Sequence, residues 1–193
     1  MSTATTPIIA GVVLAGGQSR RMGHDKATLP FHGNTLLEHT QQLLSHCGFD
    51  PVLVCGNRPD ALRDRHTGRG PLAGLDSALQ YGLAHGIAGL LLVPVDMPLL
   101  DRNSVLALSQ TGQPQQRVTH YQGHPLPMYC PVTAATARLC EQLLQDDNPR
   151  QRALHVFAHA ARALTLAADT AARTLDNINT PDDWQQLLAA QQD

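Results

Sequence analysis

The chain has 193 residues, 42% of them hydrophobic and 16% charged, with 14 Lys+Arg against 16 Asp+Glu and a formal net charge of -2. A chain of this length buries roughly 70% of the surface its unfolded form exposes, so it needs no disulfide or metal staple to hold a core. With no cationic excess to drive counterion release and only one Trp, three Tyr and three Phe to stack on bases, nucleic-acid binding is excluded and small anionic ligands remain open.

The first seven residues are small and polar, with no basic residue ahead of Ile8. They read as a frayed tail, and they lack the layout of a secretory signal. Ile8 to Ala15 is a continuous apolar run with β-branched residues, which suits a strand buried on both faces. A glycine-rich loop follows. Thr35-Leu36-Leu37-Glu38 opens a helix with a capping box, Leu36, Leu37, Leu43, Leu44 and Cys47 share its apolar stripe, and Gly48 ends it. Pro51 to Cys55 predicts a second buried strand. Leu72, Leu75, Leu79 and Leu83 then recur at helical spacing up to the Gly86 stop, and Gly89 to Val95 predicts a third strand ending at Asp96.

Asp101 is placed to cap a helix reaching about Gln110. Arg117 to Tyr121 and Leu126 to Cys130 flank Gln122-Gly123-His124-Pro125, which predicts a hairpin turn with extra residues and an antiparallel addition to the sheet. Helices are expected at Val132 to Gln145 and from about Arg150 to Ala160, with a short strand near Ala163 to Leu166. Thr180-Pro181-Asp182-Asp183 heads a last helix with an N-cap, a first-turn proline and two acids. Strands alternating with helices imply an α/β fold: a mostly parallel sheet with an antiparallel addition and helices on both faces. Residues 1–193 are expected to form one domain, with 1–7 as a flexible tail. The longest apolar stretch, Gly86 to Val95, is far short of the ~20 residues that cross a bilayer, and a cytoplasmic protein without membrane contact is expected. Cys47, Cys55, Cys130 and Cys140 show no metal or redox spacing and are expected as free thiols; His155 and His159 share a helix face but lack a third ligand nearby.

The residues with chemistry cluster at strand ends. Leu14-Ala15-Gly16-Gly17-Gln18-Ser19-Arg20-Arg21-Met22-Gly23-His24-Asp25-Lys26 leaves the first strand at its carboxyl end, where open α/β sheets bind ligands. Its glycines let backbone N–H groups approach an anion, and Arg20, Arg21 and Lys26 concentrate positive charge in a slightly acidic protein. That combination suits a polyphosphate, although neither common glycine-rich nucleotide fingerprint is present. Asp96, at the mouth of an apolar strand between Pro94 and Pro98, is placed either to hold Mg²⁺ or to cap the next turn.

The run L-A-G-G-x-S-R-R-M-G-x-D-K resembles the signature loop of the nucleotidyltransferases that attach a nucleotide to molybdopterin, and among them the molybdenum cofactor guanylyltransferases. Gly70-Pro71-Leu72-Ala73-Gly74, Val95-Asp96-Met97-Pro98 and Asn177-Ile178-Asn179-Thr180-Pro181 resemble further motifs of that family, in the same order. The resemblance implies a Rossmann-like nucleotidyltransferase fold and Mg²⁺ as cofactor. It implies transfer of GMP from GTP to molybdenum-molybdopterin with release of pyrophosphate, with molybdopterin-delivery proteins and molybdoenzyme apoproteins as further partners. Carried over residue by residue, it places Arg20, Arg21, Lys26 and Asp96 in catalysis, with Asp96 as the metal ligand. Leu14, Ala15, Gly16, Gly17, Lys26, Gly70, Pro71, Leu72 and Asp96 fall at GTP, and His124, Arg150, Arg152, Asn177 and Asn179 at the acceptor.

Guanine offers N1–H and N2–H donors together, for which a carboxylate is a natural partner, and Asp64 is the candidate, with an exposed loop aspartate as the alternative. The family's guanylyl members often carry Asn at the end of the second strand, where this chain has Cys55, with Asn57 two residues on; the base or ribose contact at that point is either lost or supplied by Asn57. Gly16-Gly17 favours guanine over the cytidylyl branch of the same family, which tends to read L-A-A-G. A sugar-phosphate nucleotidyltransferase and a catalytically silent cofactor-binding scaffold are the competing readings.

Overall fold

The computed structural model describes residues 7–16, 25–168 and 174–190. The expected N-terminal tail through residue 6 and the loop positions Gly17, Arg20 and Arg21 lie outside the described residues. In chain order the elements are β1 (Ile9–Leu14), β2 (Pro30–Phe31), β3 (Asn34–Thr35), α1 (Leu36–His46), β4 (Val52–Cys55), α2 (Pro71–Ala84), β5 (Gly89–Pro94) and α3 (Arg102–Gln115). They continue with β6 (Thr119–Tyr121), β7 (His124–Pro131), α4 (Ala134–Leu144), α5 (Leu154–Ala160), β8 (Leu164–Leu166) and α6 (Pro181–Ala189).

Six strands form one sheet in the order β4-β1-β5-β7-β6-β8, while β2 and β3 make a separate small hairpin. β1 pairs parallel with both β4 and β5, β5 and β6 pair antiparallel with β7, and β6 pairs parallel with β8. The mostly parallel sheet with an antiparallel part is the one the hydrophobic pattern predicts. Because strand side chains alternate, β5 sends Leu90 and Leu92 to one core and Leu91 and Val93 to the other. The first core is closed by α2, α4 and α5 through Leu72, Leu75, Leu79, Cys140, Leu144 and Phe157. The second is closed by α1, α3 and α6 through Leu36, Leu44, Val105, Leu108, Trp184 and Leu187.

Local signals behave as their chemistry requires. Thr35 with Glu38 and Thr180 with Asp183 both form complete capping boxes, and Asp101 caps α3 through Ser104 N–H. The four cysteines are free.

Six expectations need correction. β4 is an edge strand whose Val52, Leu53 and Val54 are only half-buried, because nothing pairs with its outer side until Leu62 bridges Cys55. The α1 stripe centres on Leu36, buried Thr40 and Leu44, with Leu37, Leu43 and Cys47 only half-buried beside it. The apolar stripe of α2 ends at Gly82, against which Val132 packs, and Leu83 is exposed. Helix α3 runs past Gln110 to Gln115: Gly112 is present for close contact with Tyr129, and Pro114 sits in the last turn. α5 starts at Leu154, not near Arg150, because Asp146 and Asn148 accept the N–H groups of Asn148 and Arg150 and close turns that compete with a helix. The hairpin turn is also tighter than expected, with Tyr121 pairing directly with His124 across Gln122-Gly123 and an irregularity displaced into β7.

Candidate active site

In the parallel part of the sheet Leu14 registers with Cys55 on one side and with Pro94 on the other. Their continuations, Ala15-Gly16, Gly56 and Val95-Asp96, therefore emerge side by side at one carboxyl edge, the place where open α/β sheets bind ligands. Ala15 N–H donates to the Cys55 carbonyl at 2.9 Å and Val95 N–H to the Leu14 carbonyl at 3.3 Å. Gly56 brings its loop against this row. A Cβ on it would meet Gly16 N at 2.9 Å and Ala15 C at 3.1 Å, and its φ of +145° suits only glycine.

A cleft of about 400 Å³ opens there, lined on the parallel side by Leu14, Ala15, Gly16, Pro71 and Asp96 and on the other by His124, Pro125 and Asn177. Asp25 and Lys26 line it as well. Lys26 Nζ donates to Asp96 Oδ2 at 3.2 Å, to Asn179 Oδ1 at 3.0 Å and to the Ile178 carbonyl. Ile178 N–H in turn donates to the Asp96 carbonyl at 2.9 Å. One lysine thus ties three distant segments together: the end of the glycine loop, the end of β5 and the approach to α6. Lys26 and Asp96 are 13% and 23% exposed, so this ion pair is partly shielded yet open to a ligand.

Asp25 caps the short 3-10 turn Lys26–Thr28 through Ala27 N–H and is also paired with Arg58 from the loop after β4. Among the described residues no group of three or more His, Cys, Asp or Glu side chains is arranged to hold a metal. Among the described residues Asp96 accepts a side-chain hydrogen bond only at Oδ2, and Oδ1 has none.

Residues 11–164 match the MobA-like NTP transferase domain. The chain belongs to the MobA-like NTP transferase family. A molybdenum cofactor guanylyltransferase of Xanthomonas euvesicatoria is 39% identical over 92% of this chain and 93% of its own length. One of Rhizobium leguminosarum is 35% identical over 94% and 95%. Among solved structures, molybdopterin-guanine dinucleotide biosynthesis protein A from Archaeoglobus fulgidus superposes with a TM-score of 0.74 at 20% identity, covering 92% of this chain and 95% of that one. At that identity the superposition speaks for the fold alone. It agrees with the nucleotidyltransferase fold that the resemblance implied.

Within this MobA-like fold the expected site residues divide. Leu14, Ala15, Gly16, Lys26, Pro71, Asp96, His124 and Asn177 all line the cleft. Asn179 reaches it through Lys26. Gly70 caps α2 with a φ of +72° and Leu72 is wholly buried in the core; neither lines the cleft. Cys55 is 1% exposed in the core, and burial, with the Asp64 charge second, pushes its thiol up to about 12. Asn57 is exposed and does not line the cleft.

Asp64 is half-buried beside Cys55: a Cβ on Gly74 would meet Leu14 Cδ2 at 2.9 Å, Cys55 Cβ at 3.3 Å and Asp64 Oδ1 at 3.9 Å. Burial raises its carboxyl above the usual carboxylate range, and among the described residues no hydrogen bond or ion pair relieves it. Arg150 and Arg152 are not in the cleft. Arg152 donates to the Asp146 carbonyl at 2.8 Å and so holds the turn before α5.

Sequence reasoning missed Gly56 and the Arg58–Asp25 pair. A lone glycine after a strand is the only sign of the first, and the second joins residues 33 positions apart. No sequence spacing announces such a pair.

Proposed function

We propose that this chain is a molybdenum cofactor guanylyltransferase, transferring GMP from GTP to the terminal phosphate of molybdenum-molybdopterin. A phosphate oxygen of the acceptor bonds to the α-phosphorus of GTP, the bond from that phosphorus to the bridging oxygen breaks, and pyrophosphate leaves with the electron pair. The observation that carries the reading is the convergence of Lys26, Asp96 and the Leu14-Ala15-Gly16 backbone at one strand edge, in a chain whose near-full-length relatives bear that name.

A phosphate monoester is already ionised near neutral pH, so catalysis reduces to positioning and charge neutralisation. The backbone N–H of Gly16 faces the phosphates, and Lys26 moves from Asp96 toward them. Arg20, Arg21 and Gly17, outside the described residues, complete the phosphate grip. The Asp96 donor set fits Mg²⁺, since one carboxylate with a free oxygen beside a phosphate site is how that ion is commonly held. When bound, the ion neutralises charge building on the triphosphate.

Asp64 accepts the guanine N1–H and N2–H, a role supported by its desolvated, unrelieved carboxylate beside Cys55 and Leu14. Cys55, buried in the core, contributes packing and a carbonyl that fixes Ala15. His124, Asn177 and Asn179 take the acceptor. A second groove that shares Gly123, His124 and Pro125 with the cleft, and is lined further on by His120, His155 and His159, gives the acceptor room to extend. We place the reaction in the cytoplasm, where GTP is made, with molybdopterin-delivery proteins and molybdoenzyme apoproteins as partners. No helix of the described residues is long and apolar enough to cross a membrane.

The test is Mg²⁺-dependent thermal stabilisation by GTP, CTP, ATP and UTP, followed by pyrophosphate release on adding the acceptor. GTP is expected to stabilise most and to release pyrophosphate only with the acceptor present. Preference for CTP would point to the cytidylyl branch, and GTP binding without turnover to a scaffold.

A further inference from the structure

Asp64 makes no hydrogen bond of its own among the described residues, so the direction of its carboxylate depends on how the backbone around it is held. That backbone is held from α2. Ser77 Oγ accepts from Arg65 N–H at 3.2 Å and donates to the Arg63 carbonyl at 3.1 Å. The two bonds clasp a three-residue stretch whose middle residue is Asp64.

One position earlier on the helix, Asp76 is fully buried. Its Oδ2 receives Arg65 Nη1 at 3.2 Å and lies 3.8 Å from His66 Nε2. A buried carboxylate requires compensating partners, and here they come from the same loop, so pulling the loop away strands a charge in the core. Arg65 is half exposed, which weakens the pair as a source of stability but not as a tether. Two turns of α2 thus supply several fixed points of this corner, Pro71 on the cleft, Gly74 beneath Asp64, and Asp76 with Ser77 on the loop behind it, while Leu62 N–H anchors the loop's start to the Val54 carbonyl.

We infer that Ser77 and Asp76 are positioning residues for base selectivity, clasping residues 63–66 so that Asp64 is presented to the edge of the purine before the nucleotide arrives. The inference rests on the assignment of the guanine N1–H and N2–H to Asp64. Its physical basis is preorganisation: a carboxylate already aimed and partly desolvated loses little freedom on binding, while a wandering one pays the ordering entropy each time. A base that lacks one donor gains less from an aimed carboxylate, so the clasp acts on discrimination more than on affinity for the triphosphate.

The experiment measures dissociation constants of GTP and of inosine triphosphate, which lacks the 2-amino group, by calorimetry with Mg²⁺ for the full chain. Variants are Asp64→Ala, Ser77→Ala, Asp76→Asn and the double Asp64→Ala/Ser77→Ala, with Ser109→Ala on α3 as a buried-serine control and unfolding temperatures recorded throughout. Ser77→Ala is expected to lower the preference for GTP about 3- to 10-fold, Asp76→Asn to lower it in the same direction, and Ser109→Ala to leave it unchanged. In the Asp64→Ala background Ser77→Ala should have no further effect on the preference, the signature of action through Asp64. A wild-type preference in Ser77→Ala, with Asp64→Ala collapsing it, overturns the clasp and leaves the base assignment standing. An equal fall from Ser77→Ala in both backgrounds also overturns it. A wild-type preference in Asp64→Ala itself removes the base assignment and the clasp with it.

Discussion

On the parallel side of the sheet, β4, β1 and β5 deliver Cys55, Leu14 and Pro94 in one register row, and that wall of the cleft is lined by Leu14, Ala15, Gly16, Pro71 and Asp96. On the antiparallel side, β7 brings His124 and Pro125 through an irregular hairpin, and Asn177 arrives on a segment that pairs with Asp96 rather than with a strand of its own. The first wall is fixed by sheet pairing and tolerates little change of shape. The second is fixed by a few side-chain bonds and turn residues, so substitution there should alter what is bound without dismantling the edge. Lys26 spans the two, with Asp96 on one side and Ile178 and Asn179 on the other.

Gly56→Ala breaks the first wall most severely. The added Cβ would lie within 2.9–3.2 Å of Gly16 N and of Ala15 C and O, at a φ only glycine adopts readily, and no flexible side chain is there to give way. A loss of about 2–4 kcal/mol in urea unfolding and of at least about 100-fold in GTP affinity is expected. A folded variant that binds GTP within twofold of wild type would show that the close approach of the two loops is dispensable.

Removing the bridge comes next. Asp96→Asn keeps the side-chain shape but loses the charge that Mg²⁺ prefers, so turnover should fall by about 100-fold or more and lose its Mg²⁺ dependence. Lys26→Ala removes a charge-assisted contact and should cost about 10- to 100-fold. Because the two side chains are partners at 3.2 Å, their effects should not add in the double variant. Strict additivity in steady-state kinetics would mean that they act at separate points.

How much of this was legible in the sequence follows the same division. The three parallel strands, the capped helices and the strand-end loop could be read because apolar runs, capping boxes and glycine clusters are local signals. Leu14, Lys26 and Asp96 were singled out for that reason and line the cleft, while the roles proposed for them come from the family resemblance. The clasp of Ser77 on Arg63 and Arg65 joins residues up to 14 positions apart, and the Lys26–Ile178 contact spans 152. Neither follows from any spacing. The expected helix start near Arg150 lies instead at Leu154, because Asp146 and Asn148 side chains close turns ahead of it, a competition that propensity alone does not decide.

The second wall separates substrates. Asn177 lines the cleft, whereas Asn179 is bonded to Lys26. Asn177→Ala is therefore expected to raise the acceptor KM about 5- to 10-fold with GTP affinity unchanged, while Asn179→Ala perturbs both through Lys26. Calorimetry with GTP and initial rates against acceptor concentration distinguish the two. Equal effects of both variants on GTP would erase the distinction between walls at this point.

The smallest effect sharpens the contrast on the nucleotide side itself. Burial holds the Asp64 carboxyl above its ordinary range in the folded protein. Between the unfolded and folded pKa values the native state binds more protons than the unfolded one, so the stability this group contributes is present below the unfolded value and is lost as pH rises through the folded one. Above the folded value wild type carries that desolvation penalty in full. Asp64→Asn carries none, because a neutral amide does not ionise, so it should unfold at slightly higher urea than wild type at pH 7, with the difference shrinking on acidification into the carboxylate range. The same variant should lose preference for GTP, since an amide presents one acceptor where the purine edge offers two donors. Greater stability together with poorer base selection would mark Asp64 as a group kept for recognition at some expense to the fold. An Asp64→Asn protein less stable than wild type at pH 7 would instead make it a structural loop anchor.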